Sequence, residues 1–278
     1  MATAGGHDWH TWTSLRQSFS SSIAGLGDLS LFAGQTLAWI MRRRPSPGTI
    51  VPIFYAVGVK SVPVVAITGL FIGMVLAVQS YSQFHSLGVE TRLGSIINIS
   101  VVRELGPVLA ATMLAGRVGS AMAAELATMR ITEQIDALAT LGTNPVHYLV
   151  VPRFLACVLL IPLLTVLADF VGVMGGAFMC IHVYQVEGHH YWERAGAYVG
   201  AWDVCSGLIK SMFFGAAIAL IACQRGFRSR PGAEGVGRAA TESFVLSFMA
   251  ILILDFFLAM FFNNLYEYLW PGAGARLV

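Results

Sequence analysis

Five stretches of this chain are apolar and long enough to cross a bilayer: 61–84, 93–115, 154–181, 204–223 and 243–266. A spanning helix takes roughly 20 residues. In hydrocarbon every backbone N–H and C=O must be satisfied within the segment, so runs of this kind fold as helices. The composition agrees, with 56% hydrophobic and only 12% charged residues, where a soluble domain carries about 25% charged. The fold class is therefore an all-α integral membrane protein with about five transmembrane helices. These belong to one transmembrane domain over 49–270, preceded by an N-terminal segment over 1–48.

Residues 1–22 are polar and rich in Ser and Thr, and we expect them to be mobile. They show neither an apolar core nor a small-residue cleavage site, so they do not look like a signal peptide. Residues 28–41 are apolar but too short to span. Leu31, Phe32, Leu37, Trp39 and Ile40 run into Arg42, Arg43 and Arg44, which fits a helix lying in the cytoplasmic interface. A helix buried against the bundle is the alternative.

The most informative region is 93–153. Arg103 and Glu104 interrupt the second apolar stretch, one turn before Pro107. Proline has no N–H to donate to the Arg103 carbonyl, so a kink is expected there. Adjacent residues point about 100° apart on a helix, so Arg103 and Glu104 each need a partner elsewhere. Further on, 131–142 reads as a short cytoplasmic helix. Ile131, Ile135 and Leu138 keep helical spacing, Glu133 and Asp136 sit in the early turns, and Gly142 and Pro145 supply stop signals. A helix of roughly ten residues is marginal alone, so its apolar stripe needs cover from the membrane domain or from another subunit.

Elsewhere, Gly69 and Gly73 have the small-xxx-small spacing that permits close helix approach. Residues 182–203 form a polar connection whose His189, His190, Tyr191, Trp192, Tyr198 and Trp202 suit a membrane–water boundary. Residues 224–238 read as a basic, Gly-rich loop. Arg42, Arg43, Arg44, Lys60, Arg130, Arg153, Arg225, Arg228, Arg230 and Arg238 fall on one side, against Arg92, Arg194 and Arg276 on the other. By the positive-inside rule the N-terminus is cytoplasmic and the C-terminus outside.

Arg103, Glu104, Asp169, Lys210 and Asp255 all fall inside expected spans. Each costs about 2.5–3.5 kcal/mol at mid-bilayer if unpaired. One explanation is internal pairing that only fixes helix register. The other is a cavity with charged walls and apolar sides, suited to an amphiphile, with Arg103 as first choice for a headgroup because its fork matches phosphate. Asp203 reads as a boundary residue on the same helical face as Lys210.

Other chemistries are disfavoured. No phosphate-binding loop of the type G-x-x-x-x-G-K-[ST] occurs, so ATP hydrolysis by the chain itself is not expected. Cys157, Cys180, Cys205 and Cys223 have neither metal nor disulfide spacing, and His182, Glu187, His189 and His190 match no strong metal motif. No nucleophile–base arrangement stands out, no cofactor is implied, and a net charge of +2 gives no reason to expect nucleic acid.

The segments Val102-Arg103-Glu104-Leu105-Gly106-Pro107-Val108-Leu109, Ala115-Gly116-Arg117-Val118-Gly119-Ser120, Thr132-Glu133-Gln134-Ile135 and Pro152-Arg153-Phe154 resemble the MlaE/YrbE-type permease family. So do Gly69-Leu70-Phe71-Ile72-Gly73, Leu208-Ile209-Lys210-Ser211 and Leu254-Asp255-Phe256. The resemblance covers roughly 50–260 and is densest over 100–155. It implies the membrane subunit of an ABC transporter that moves glycerophospholipids across the Gram-negative envelope and maintains outer-membrane lipid asymmetry. It also implies an inner-membrane homodimer on an ATPase like MlaF, which binds a STAS-domain protein like MlaB, beneath a periplasmic MCE-domain hexamer like MlaD. Arg103, Glu104, Lys210 and Asp255 would then belong to the lipid cavity and its charge pairing. Glu133, Ile135, Asp136, Leu138 and Leu141 would couple to the ATPase. Two other classes stay open: an ion- or proton-coupled secondary transporter or channel, and a non-transporting membrane scaffold.

Overall fold

A computed structural model describes residues 8–42, 47–87 and 93–270, and all of its regular elements are helical. Residues 1–7, Arg43, Arg44, Gly88, Arg92 and Arg276 lie outside the described residues. The elements are α1 (Asp8–Arg42), α2 (Pro47–Val57), α3 (Val62–Leu87), α4 (Leu93–Ser100), α5 (Gly106–Leu114), α6 (Ser120–Ile131), α7 (Gln134–Thr140), α8 (Val151–Phe178), α9 (Gly188–Tyr198), α10 (Ala201–Phe227) and α11 (Ala233–Leu269). Five stretches are long and apolar enough to cross a membrane: Gly48–Ser86, Leu93–Ile131, Val146–Val183, Ala201–Phe227 and Ala233–Leu269. The chain is a multi-pass helical membrane protein.

Each span runs past its apolar limits, because nothing in the flanking residues stops the helix where hydropathy falls. The second span is α4, α5 and α6 joined by two π-turns, Val101–Leu105 and Ala115–Gly119. At the first, the Gly106 N–H donates to the Val101 carbonyl, one residue further back than in an α-helix. The wider turn absorbs the missing N–H of Pro107, so the expected kink is realised as a π-turn.

Four expectations need correction. The N-terminal helix begins at Asp8, not near residue 28; residues 8–27 contain no proline, and their Ser and Thr are tolerated along a helix. The connection 182–203 contains α9, whose Tyr191 is buried and donates its hydroxyl to Asn98 Oδ1 at 3.4 Å, pinning α9 to α4. The basic loop shrinks to 228–232, since α10 continues to Phe227 and α11 begins at Ala233. Gly232 at φ +93° makes that turn, and Gly235 lets the Arg230 carbonyl approach where a Cβ would collide with it. Lastly, Ile131 closes α6 and is not part of the short helix. The chain breaks at Thr132 and at Glu133, which takes a left-handed φ of 60°, before α7 starts.

Glycine sets the packing of the bundle centre. A Cβ at Gly69 would lie 2.6 Å from the Ala168 carbonyl, and one at Gly73 would collide with Gly172, so α3 and α8 meet backbone to backbone. Gly215 brings α10 against the Cys157 carbonyl of α8 in the same way, at 2.7 Å. At the end bearing α7, Phe32 of α1 meets Phe227 edge-on at 5.9 Å and Trp39 meets His147 at 5.5 Å. Leu31, Leu37 and Met41 face outward from α1. One face of this helix therefore packs on the bundle and the other stays exposed.

Candidate functional site

The first π-turn holds Arg103 and Glu104 against α10 and α11. Glu104 Oε2 lies 2.5 Å from Lys210 Nζ, which in turn lies 3.1 Å from Asp255 Oδ1. Arg103 reaches the other way, with Nη1 3.8 Å from Asp203 Oδ1, Nη2 donating to Asn263 Oδ1, and Nε 3.9 Å from Glu104 Oε1. Asp203, Arg103, Glu104, Lys210 and Asp255 thus form one chain of alternating sign, with three carboxylates and two cations. Lys210 is 1% exposed. A buried ammonium is tolerated only when carboxylates compensate it, and here two do so from different helices. The Arg103 and Glu104 side chains keep 26% and 38% of their surface open, so this end of the network can meet a ligand.

The sequence places these groups for local reasons. Asp203 and Lys210 are seven residues apart and share a face of α10, with Gly207 between them. A Cβ at Gly207 would sit 2.6 Å from the Val102 carbonyl, so glycine lets α10 lie directly on the π-turn. Asp203 also caps its own helix, accepting from the Gly200 N–H at 3.0 Å. It is therefore a buried member of the network and not the boundary residue expected. Asn263 had no signal beyond its polarity in an apolar run.

Asp169, expected with the other charges, sits apart. Its Oδ1 is buried without a hydrogen-bond partner, against the Cα of Gly106, where any side chain would collide with it. Arg117, passed over in the sequence, lies in the second π-turn and donates to Ser61 Oγ at the start of the first span. Its signal was its position, 14 residues beyond Arg103 on one continuous span.

The residues expected to couple to a partner divide into two sets. Ile135 is buried and Leu138 half-buried, packed with Leu126, Leu149, Val150 and Cys223. The membrane domain itself therefore covers the apolar stripe. Glu133, Asp136 and Leu141 face outward, Leu141 at 80% exposure, and Asp136 is held by Arg130 at 2.6 Å. Beneath them the buried Arg153 ties α8 to α6 through Glu125 at 2.8 Å and donates to the Leu149 carbonyl at 2.8 Å. Among the described residues no group of three metal-type side chains is found.

Residues 50–261 match the family described as Permease MlaE. The chain belongs to the MlaE permease family. A probable ABC transporter permease protein of Rickettsia felis is 42% identical over 244 residues, covering 88% of this chain and 93% of the relative. The intermembrane phospholipid transport system permease protein MlaE of Haemophilus influenzae is 36% identical over 210 residues, 75% of this chain and 80% of its own length. The chloroplastic protein TRIGALACTOSYLDIACYLGLYCEROL 1 of Arabidopsis thaliana is 36% identical over 247 residues, 89% of this chain and 69% of that protein. The match to the MlaE family begins within α2 and ends within α11, so it takes in the charge network and α7 while leaving out α1.

Proposed function

We propose that the chain is the membrane subunit of an ABC transporter that moves glycerophospholipids. The supporting observation is the alternating charge chain, partly open at Arg103 and Glu104, beside an α11 whose apolar face is exposed along most of its length. A phosphate would meet the Arg103 fork and acyl tails would lie on that apolar face. Two copies enclosing this surface would make the cavity, and Asp169 would lie in its supporting wall. In this arrangement residues 49–270 form the permease domain and α1 is an appended interfacial helix.

In the same reading the protein sits in a Gram-negative inner membrane with its N-terminus cytoplasmic and its C-terminus periplasmic. ATP hydrolysis belongs to a partner ATPase of the MlaF kind with its MlaB-like STAS protein. Lipid passes between the dimer and an MlaD-like MCE hexamer, in a system that maintains outer-membrane asymmetry. The outward face of α7, with Glu133, Asp136 and Leu141, would contact the ATPase, while Ile135 and Leu138 hold α7 in place. Glu133→Lys with Leu141→Asp should abolish lipid-stimulated ATPase activity in the reconstituted complex without lowering expression of the chain. Arg103→Ala should lower lipid transport in a folded protein. Unchanged transport in that variant would remove Arg103 from the lipid path, and purification without any ATPase would favour an ion- or proton-coupled carrier.

A further inference from the structure

A second polar recess lies at the opposite functional end, between the last turn of α10 and the first turns of α11. It encloses about 250 Å³ and is lined by Arg225, Arg228, Arg230 and Arg238, with Glu242 as the single lining carboxylate. Glu242 holds two of the four guanidiniums, accepting from Arg238 Nε at 2.7 Å and from Arg225 Nη1 at 3.4 Å. Asp28 of α1 fixes Arg228 from outside the recess. The remaining donors are unused. Arg225 Nε is buried with no hydrogen-bond partner, and no carboxylate partner of Arg230 is found among the described residues.

We propose that this recess binds the phosphate of an anionic phospholipid headgroup at the membrane–water boundary. Four guanidiniums against one carboxylate leave an excess of positive charge that an anion would neutralise, and the guanidinium fork matches phosphate oxygens. Three of the four are already positioned by carboxylates, so little side-chain freedom is lost on binding. The first turn of α11, at Gly235, lines the recess and adds the positive end of a 37-residue helix. The membrane placement identifies the source of the phosphate. Phe244, Val245 and Phe248 are exposed one to three turns further along α11, where the acyl chains of a lipid seated at the arginines would run. The site depends on the membrane placement of α10 and α11 and not on the transported cargo.

The test titrates the detergent-solubilised full chain with phosphatidylglycerol, phosphatidylcholine and inorganic phosphate, following bound lipid by native mass spectrometry. Phosphatidylglycerol should be retained at least about five-fold over phosphatidylcholine, and Arg230→Gln should cut that preference about five-fold. Arg225→Gln with Arg230→Gln should erase it, while Arg42→Gln, on the exposed end of α1, leaves it intact. If the double variant does not fold, Arg230→Gln alone decides, because that side chain is exposed. Equal retention of the two lipids, or a preference untouched by Arg230→Gln, overturns the proposal. So does competition by inorganic phosphate as strong as that of the lipid, which would mark a soluble phosphate ligand. Loss of an ATPase partner in the variants with lipid retention intact overturns it too, and would mark the recess as a protein contact.

Discussion

The helices α10 and α11 are sequential and lie side by side, yet they stand in opposite relations to their surroundings. Half of the apolar stretch of α10 is buried within the chain, against 11% of that of α11. α10 can bury Asp203, Lys210 and Gln224 because neighbouring helices supply partners or cover on several sides. α11 meets the bundle along a single line: Gly235, Ala239, Ser243, Ser247 and Ile251 recur every fourth residue and face inward. The remainder of its circumference is Phe, Leu, Ile and Met turned outward. A helix held on one narrow stripe can be displaced more readily than one wedged between neighbours. The charge network joins the two, through Asp203 and Lys210 on α10 and Asp255 and Asn263 on α11.

The sharpest way to break this contrast is Lys210→Met. It leaves Glu104 and Asp255 facing each other without their cation, and should cost about 3–5 kcal/mol, read as a lowered melting temperature in detergent. Gly207→Val comes next. Its side chain would be driven into the Val102 carbonyl, separating α10 from the π-turn, for about 1–3 kcal/mol of lost stability and a matching weakening of lipid binding. On α11, Ser243→Ala removes the hydroxyl that donates to the Gly119 carbonyl at 3.3 Å, and should cost about 1 kcal/mol. Phe256→Leu, on the outward face of the same helix, should stay within about 0.5 kcal/mol in the monomer; a larger loss would show that a second copy covers that face.

The smallest effect should come from the exposed link between α1 and the turn after α10. The Arg228 guanidinium holds the Asp28 carboxyl below its ordinary value of 3.8. A carboxyl with a depressed folded-state pKa stabilises fully above that ordinary value and loses the contribution as pH falls through its lowered one. Hydrogen exchange in α1 should therefore be unchanged from neutral pH down to the ordinary carboxylate range and rise only below it. Asp28→Asn should abolish that rise.

The apolar runs announced five crossings because hydropathy is a direct measure of what hydrocarbon tolerates. Hydropathy is silent where a helix emerges into water, which is why the extents of α1, α10 and α11 were underestimated. The glycines of 224–238 read as flexibility, but Gly235 is there to let the Arg230 carbonyl close a tight turn. Glu133 could not be foreseen at a left-handed φ, since the residues that favour it are Gly and Asn. Within the site, Arg103, Glu104, Lys210 and Asp255 were legible because charge is rare in such runs. Their pairing was not, because it depends on how α10 and α11 are rotated, and Asp203 was misjudged because its position at a span end hid its burial.

The two π-turns of the second span carry a consequence for how its length is constrained. Each holds one residue more than an α-helical turn, so deleting a single residue from Val101–Leu105 would let regular winding resume. Everything downstream to the next π-turn would then swing by about 100°, carrying Ala110, Ala111 and Leu114 out of the core. A one-residue deletion there should therefore be far more damaging than any conservative exchange at the same position, so the spacing of this span is constrained as tightly as its composition.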